Sequence, residues 1–98
     1  MSAELLYSFL KSAEDDARIS CAHISLYVVL WKKFVDNNYE QPVSFFRNEL
    51  VCTCKIAGTN LYHRVIRQLH EYGYVKYIPS YNHFLGSMVY FIWQKKSK

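Results

Sequence analysis

Residues 54–78 read CKIAGTNLYHRVIRQLHEYGYVKYI, and this stretch decides the fold. Thr59 is of a type that caps a helix. After it, Leu61, Val65, Leu69 and Tyr72, helped by Ile66, recur at the three- and four-residue steps of one helical face. The other face carries Asn60, His63, Arg64, Arg67 and His70. Gly73 stands where a left-handed residue stops a helix, and Tyr74–Ile78 then has the composition of a strand. The expectation is a helix from Thr59 to Glu71 or Tyr72, polar on one side, running through a tight turn into a strand.

Working back towards the N-terminus, Cys54–Gly58 makes a tight connection with Ile56 as an apolar plug. Ahead of it a short helix is predicted over Phe46–Thr53, with Phe46, Leu50 and Val51 inward and Arg47, Asn48 and Glu49 outward. Pro42-Val43-Ser44-Phe45 reads as extended and suited to a sheet edge, because proline disfavours helical geometry in Gln41 and a β-branched and an aromatic residue follow. Ser20 caps a long helix to about Asp36, with Ile24, Tyr27, Val28, Trp31, Phe34 and Val35 as its apolar face and Asn37-Asn38 as its end. Ala3–Ala13 is a leader helix carrying Leu5, Leu6, Phe9, Leu10 and Ala13, ended by the polar run Glu14–Arg18.

Towards the C-terminus, Ser87–Trp93 reads as a second strand, joined to the first by a loop over 79–86. The order helix, helix, short strand, helix, turn, helix, hairpin is that of a winged helix-turn-helix. The predicted fold class is therefore α+β, mainly α, with an N-terminal leader helix and a C-terminal β-hairpin wing. A chain of 98 residues holds one core, so a single domain is expected: leader helix and break over 1–18, winged-helix core over 19–93, basic tail over 94–98.

Composition agrees with a packed globule: 51% of residues are apolar and 17% aromatic, with two prolines and three glycines. The charge is divided unevenly. Residues 1–40 carry Glu4, Glu14, Asp15, Asp16, Asp36 and Glu40 against Lys11, Arg18, Lys32 and Lys33, a net of −2. Residues 41–98 carry Arg47, Lys55, Arg64, Arg67, Lys76, Lys95, Lys96 and Lys98 against Glu49 and Glu71, a net of +6. A basic half favours a polyanionic partner.

A helix-turn-helix projects polar and basic side chains from the first turns of its second helix into the major groove. Lys55, Thr59, Asn60, His63, Arg64 and Arg67 meet that requirement, since Arg and Lys address guanine edges or phosphates and Asn addresses adenine. His70 lies too far along the helix. In the wing, Lys76 on the ascending strand and Tyr81, Asn82 and His83 at the tip are positioned for phosphates or the minor groove. The competing structural readings are a plain solvated helix face for His63, Arg64 and Arg67, and a tip whose Tyr81, Phe84 and Leu85 fold back over the sheet.

Other chemistry is not expected. Cys52 and Cys54 are one residue apart, which fits structural zinc poorly beside the scattered His63, His70 and His83, so no metal is assigned. His23 reads as a surface or interface residue, and Glu14-Asp15-Asp16 as solvated charge. With no glycine-rich phosphate loop, nucleophile elbow or spaced carboxylate pair, the sequence points away from an enzyme and from any small-molecule cofactor. The odd number of thiols, Cys21, Cys52 and Cys54, and the short apolar stretch Leu5–Leu10 behind Glu4 argue against a secretory signal and for a reducing cytoplasm. The longest apolar stretch, Ile24–Trp31, falls well short of the ~20 residues of a membrane span, so no membrane partner is expected.

The string Cys54-Lys55-Ile56, Thr59, Tyr62-His63, Leu69-His70-Glu71-Tyr72-Gly73-Tyr74-Val75-Lys76-Tyr77 and Gly86-Ser87-Met88-Val89-Tyr90 resembles small winged-helix proteins of Bacteroides mobile elements. It is also similar to the N-terminal winged-helix domains of phage replisome organisers and replication initiators. His23-Ile24-Ser25-Leu26-Tyr27 looks like the first helix of that group, so the likeness spans about residues 18–92. The resemblance implies a bacterial, cytoplasmic, nucleoid-associated protein that binds double-stranded DNA in regulation, excision or replication of a mobile element. The chain departs from the group at Phe46, where a small capping residue is usual, and ends just after the wing, before a replisome organiser's partner-binding region. The alternative is a winged helix serving protein–protein contacts in a replication or conjugation assembly. The leader-helix face Leu5, Leu6, Phe9 and Leu10 has two possible uses: a homodimer contact or cover for the chain's own core.

Overall fold

The computed structural model describes residues 2–46, 49–50, 59–79 and 86–92, with Ser2 and Thr59 through their backbone alone. Within them lie α1 (Ser2–Glu14), α2 (Cys21–Asp36), β1 (Val43–Phe45), α3 (Thr59–Glu71), β2 (Val75–Ile78) and β3 (Ser87–Phe91). The start of α2 and the ends of α2 and α3 are each set by a specific backbone device. The described part is α+β and mainly helical. Most of the short helix predicted over 46–53 lies outside it; Glu49 and Leu50 are helical, and Leu50 N–H donates to Phe46 O at 3.3 Å.

α2 begins after Ser20, whose backbone is extended and whose N–H donates to His23 Nδ1 at 3.0 Å. This is the return half of a capping box, with a ring nitrogen in place of the usual Glu or Gln oxygen. The helix ends in a left-handed turn at Asn38 (φ 59°) and Tyr39 (φ 63°). There Asn38 N–H reaches Val35 O at 3.0 Å and Tyr39 N–H reaches Phe34 O at 2.9 Å, and the Phe34 and Tyr39 rings meet edge-on. α3 closes on the same pattern with glycine in the left-handed position: Gly73 has φ 88°, its N–H bonds His70 O at 3.1 Å, and Tyr74 N–H bonds Leu69 O at 3.0 Å.

The sheet order is β1-β3-β2, all antiparallel, so the predicted edge role of Val43–Phe45 is what the chain adopts. Val43 faces Val89 on one side of β3, while Val75 faces Phe91 and Tyr77 faces Val89 on the other. Val43, Phe45, Val75, Val89 and Phe91 are buried on one face of the sheet, and Ser44, Lys76 and Tyr90 are exposed on the other. The Gln41–Pro42 peptide is cis, and the Gln41 side chain accepts the Phe91 N–H at the sheet margin. Gly86 (φ 72°) passes so close to β1 that a Cβ there would lie 2.7 Å from Phe45 O.

Aromatic contacts tie the layers together. Phe9 of α1 stacks on Tyr27 of α2 with centroids 3.7 Å apart, and Tyr27 and Phe34 both meet Phe91 of β3 at about 5 Å. Leu5 and Phe9 are therefore taken into the chain's own core, which leaves Tyr7 and Leu10 as the exposed apolar residues of α1. Two expectations need correcting. The buried face of α2 is His23, Leu26, Tyr27, Leu30 and Phe34, with Ile24, Val28, Trp31 and Val35 only half-buried; α2 is apolar nearly all round, so periodicity could not choose the face. His23, expected at the surface or an interface, is 5% exposed and packed within the chain.

The Tyr27 hydroxyl is buried and has no hydrogen-bond partner among the described residues, and burial raises its pKa above the ordinary 10.0. Removing an unsatisfied buried hydroxyl recovers its desolvation cost, so Tyr27→Phe is expected to leave stability unchanged or raise it by about 1–2 kcal/mol in urea unfolding. A clear loss of stability would mean that the hydroxyl is partnered in solution.

Candidate nucleic-acid interface

α3 holds its place by one apolar stripe. Tyr62, Val65, Ile66 and Leu69 are buried, at the helical spacing of three, four and seven residues, while Leu61 and Tyr72 are half-buried. The stripe is thus centred one residue later than the Leu61 register implied, and Tyr62, assigned no inward role from sequence, is among the largest fully buried side chains. Its ring is amphipathic, so its inward placement had no signal stronger than its neighbours' periodicity.

The same rotation sets the outward face. Asn60, Arg64 and Arg67 are exposed at successive steps of four and three residues and share one stripe. His63 is half-buried, its ring edge-on to Tyr62 at 5.1 Å. His70 is exposed, and its Nδ1 accepts the Tyr77 N–H at 3.0 Å, which ties the end of α3 to β2. Thr59 opens the helix through its described backbone, and the first turn of α3 itself holds no acidic residue to offset the positive end of the helix dipole. Lys76 stands apart, exposed on the outer sheet face opposite Tyr90. Lys55, Tyr81, Asn82 and His83 lie outside the described residues, as do Cys52 and Cys54.

None of the described ion pairs involves a residue of α3, and Lys11 of α1 is likewise without one among the described residues. The described ion pairs are Arg18–Asp16 at 2.8 Å, Lys32–Asp36 at 2.9 Å and Lys33–Glu49 at 3.2 Å. Among the described residues, no carboxylate pairs with Arg64, Arg67 or Lys76. Among the same residues, no group of three His, Cys, Asp or Glu side chains is placed to hold a metal ion, and no helix is long and apolar enough to cross a membrane.

Residues 16–23, in the connection from α1 and the start of α2, grip the end of α3 and the turn that follows it. Asp16 accepts from Arg18 Nε and Nη2, both at 2.8 Å, and from the Tyr74 hydroxyl at 2.7 Å. Arg18 lies 4.1 Å over the Tyr72 ring. His23 Nε2 lies 2.8 Å from Gln68 Oε1. The Arg18 guanidinium, then the Tyr74 hydroxyl, hold the Asp16 carboxyl well below its usual range, while burial and the Asp16 bond push Tyr74 up to about 12. None of these partnerships was visible in the sequence, where Glu14-Asp15-Asp16 reads as solvated charge. The signal that existed was the Ser20-x-x-His23 spacing of a capping box.

No protein-family model, curated protein or solved structure matches the chain.

Asp16 makes its contribution as a carboxylate. Its folded pKa lies below the ordinary 3.8, so that contribution is full above about pH 4 and is lost as pH falls towards the depressed value. Asp16→Asn is expected to lower stability at pH 7 and to flatten the acid limb, so that the two unfolding curves approach each other as pH falls below about 4. Parallel pH profiles from urea unfolding would refute the assignment.

Proposed function

We propose that the chain is a winged helix-turn-helix domain that binds double-stranded DNA, with α3 reading the major groove and the hairpin touching phosphates beside it. The observation that carries the reading is the outer stripe of α3: Asn60, Arg64 and Arg67 exposed, with both arginines free of carboxylates among the described residues, directly behind a buried stripe. Exposed cations left unpaired beside an acid-free helix start offer phosphate neutralisation and bidentate contact to guanine with no intramolecular pair to break first. The element order and the β1-β3-β2 sheet support the winged-helix reading, since a hairpin following the candidate reading helix and a short edge strand ahead of it are its parts.

The sequence resemblance supports a role as a transcriptional regulator or accessory factor of a bacterial mobile element, working on cytoplasmic DNA. The alternative protein-interaction module calls for Arg64 and Arg67 to be held in intramolecular pairs; neither has a carboxylate partner among the described residues, which favours DNA. With Leu5 and Phe9 in the core, a homodimer through α1 would have to use Tyr7 and Leu10.

Titration of a labelled duplex at several salt concentrations tests the proposal. Affinity is expected to fall linearly on a log–log plot, and Arg64→Ala and Arg67→Ala each to weaken binding and, where the arginine meets a phosphate, to reduce the slope by about one. Absence of salt-dependent binding at low ionic strength would overturn it.

A further inference from the structure

We infer that His23 and Gln68 form a positioning pair that fixes the rotation of α3, with His23 locked as the neutral tautomer protonated at Nε2. The inference rests on the DNA reading for its functional consequence and on the structure for its geometry.

His23 is the buried polar side chain among the described residues, and both its ring nitrogens are engaged. A backbone N–H can only donate, so the 3.0 Å contact from Ser20 N–H makes Nδ1 an acceptor, and the Ser20 hydroxyl lies 2.8 Å from the same atom. The ring proton therefore sits on Nε2 and is donated to Gln68 Oε1 at 2.8 Å. One imidazole thus joins the cap of α2 to the last turn of α3 across 45 residues of sequence.

The pair adds what the apolar stripe does not. Burial of Tyr62, Val65, Ile66 and Leu69 sets which face of α3 lies inward, and close packing resists its turning; these contacts are non-directional, and a hydrogen bond adds a directional restraint to them. A rotation of about 20° moves a side-chain tip at the outer radius of a helix, about 5–6 Å, by about 2 Å, which breaks a hydrogen bond of normal length. Gln68 follows Arg67 directly and lies one turn beyond Arg64, so the rotation that breaks its bond is the one that swings both arginines. Arg18 over Tyr72 and Asp16 on Tyr74 hold the end of the helix but lie beyond its candidate contact residues.

Four variants and one spectrum test this. Ring ¹⁵N NMR of the wild-type chain is expected to show His23 protonated at Nε2 and bare at Nδ1. Gln68→Met, which keeps length and loses the acceptor, and His23→Leu are expected to keep the far-UV helix signal and weaken duplex binding about 3–10-fold with the salt slope unchanged. His23→Gln, which retains an adjacent acceptor and donor, is expected to restore most of the affinity. The double variant His23→Leu/Gln68→Met is expected to be no weaker than the worse single variant, because the His23–Gln68 bond is already lost in either one. Should a single variant not fold, the double variant, which leaves no polar group of the His23–Gln68 pair behind, is read in its place. A His23 ring protonated at Nδ1, wild-type binding by the folded variants, strictly additive losses or a changed salt slope would each overturn the inference. If the wild-type chain binds no duplex, the DNA reading fails alone; the positioning pair is then judged by residual dipolar couplings, and an unchanged α2–α3 orientation in Gln68→Met overturns it.

Discussion

Burial of Tyr62, Val65, Ile66 and Leu69 is the constraint on which the rest of the molecule depends. Each such side chain contributes about 1.5–3 kcal/mol when fully removed from water, whereas an exposed charge pair contributes about 0–1 kcal/mol. The core therefore decides how α3 lies, and the direction of Asn60, Arg64 and Arg67 follows from it. α2 and the sheet supply the surface on which the stripe rests, and the Phe9–Tyr27 stack brings α1 over the same core.

Polar interactions then refine what burial leaves loose. Those that join distant parts of the chain concentrate between residues 16–23 and 68–74, where Asp16 meets Tyr74, Arg18 meets Tyr72 and His23 meets Gln68. The polar run after α1 is thus more than a helix break. Its side chains reach across to α3 and its C-terminal turn, and Asp16 does so as a charged group because Arg18 lies against it.

Much of the local structure was legible in the sequence because local rules govern it. The bounds of α1, α2 and α3 fall within a residue or so of those expected, Gly73 stops α3, and Val43–Phe45 lies at the sheet edge. What periodicity could not decide was which side of α2 faces inward, since apolar residues surround it. His23 and Tyr62 were misjudged or passed over for a related reason: both are amphipathic, and their burial depends on partners far along the chain. Of the candidate site, Asn60, Arg64 and Arg67 were legible as a spacing, while the pair that orients them joins residues from two helices and has no pattern to announce it.

The central claim is that the outer stripe of α3 meets duplex DNA. Its most direct test is titration of a ¹⁵N-labelled chain with a short duplex, following each backbone amide and arginine Nε signal. The account predicts salt-sensitive shifts concentrated at Asn60, His63, Arg64 and Arg67, with smaller ones at Lys76. Shifts confined to Tyr7 and Leu10 of α1 or to the outer sheet face around Tyr90, or none at low salt, would contradict it.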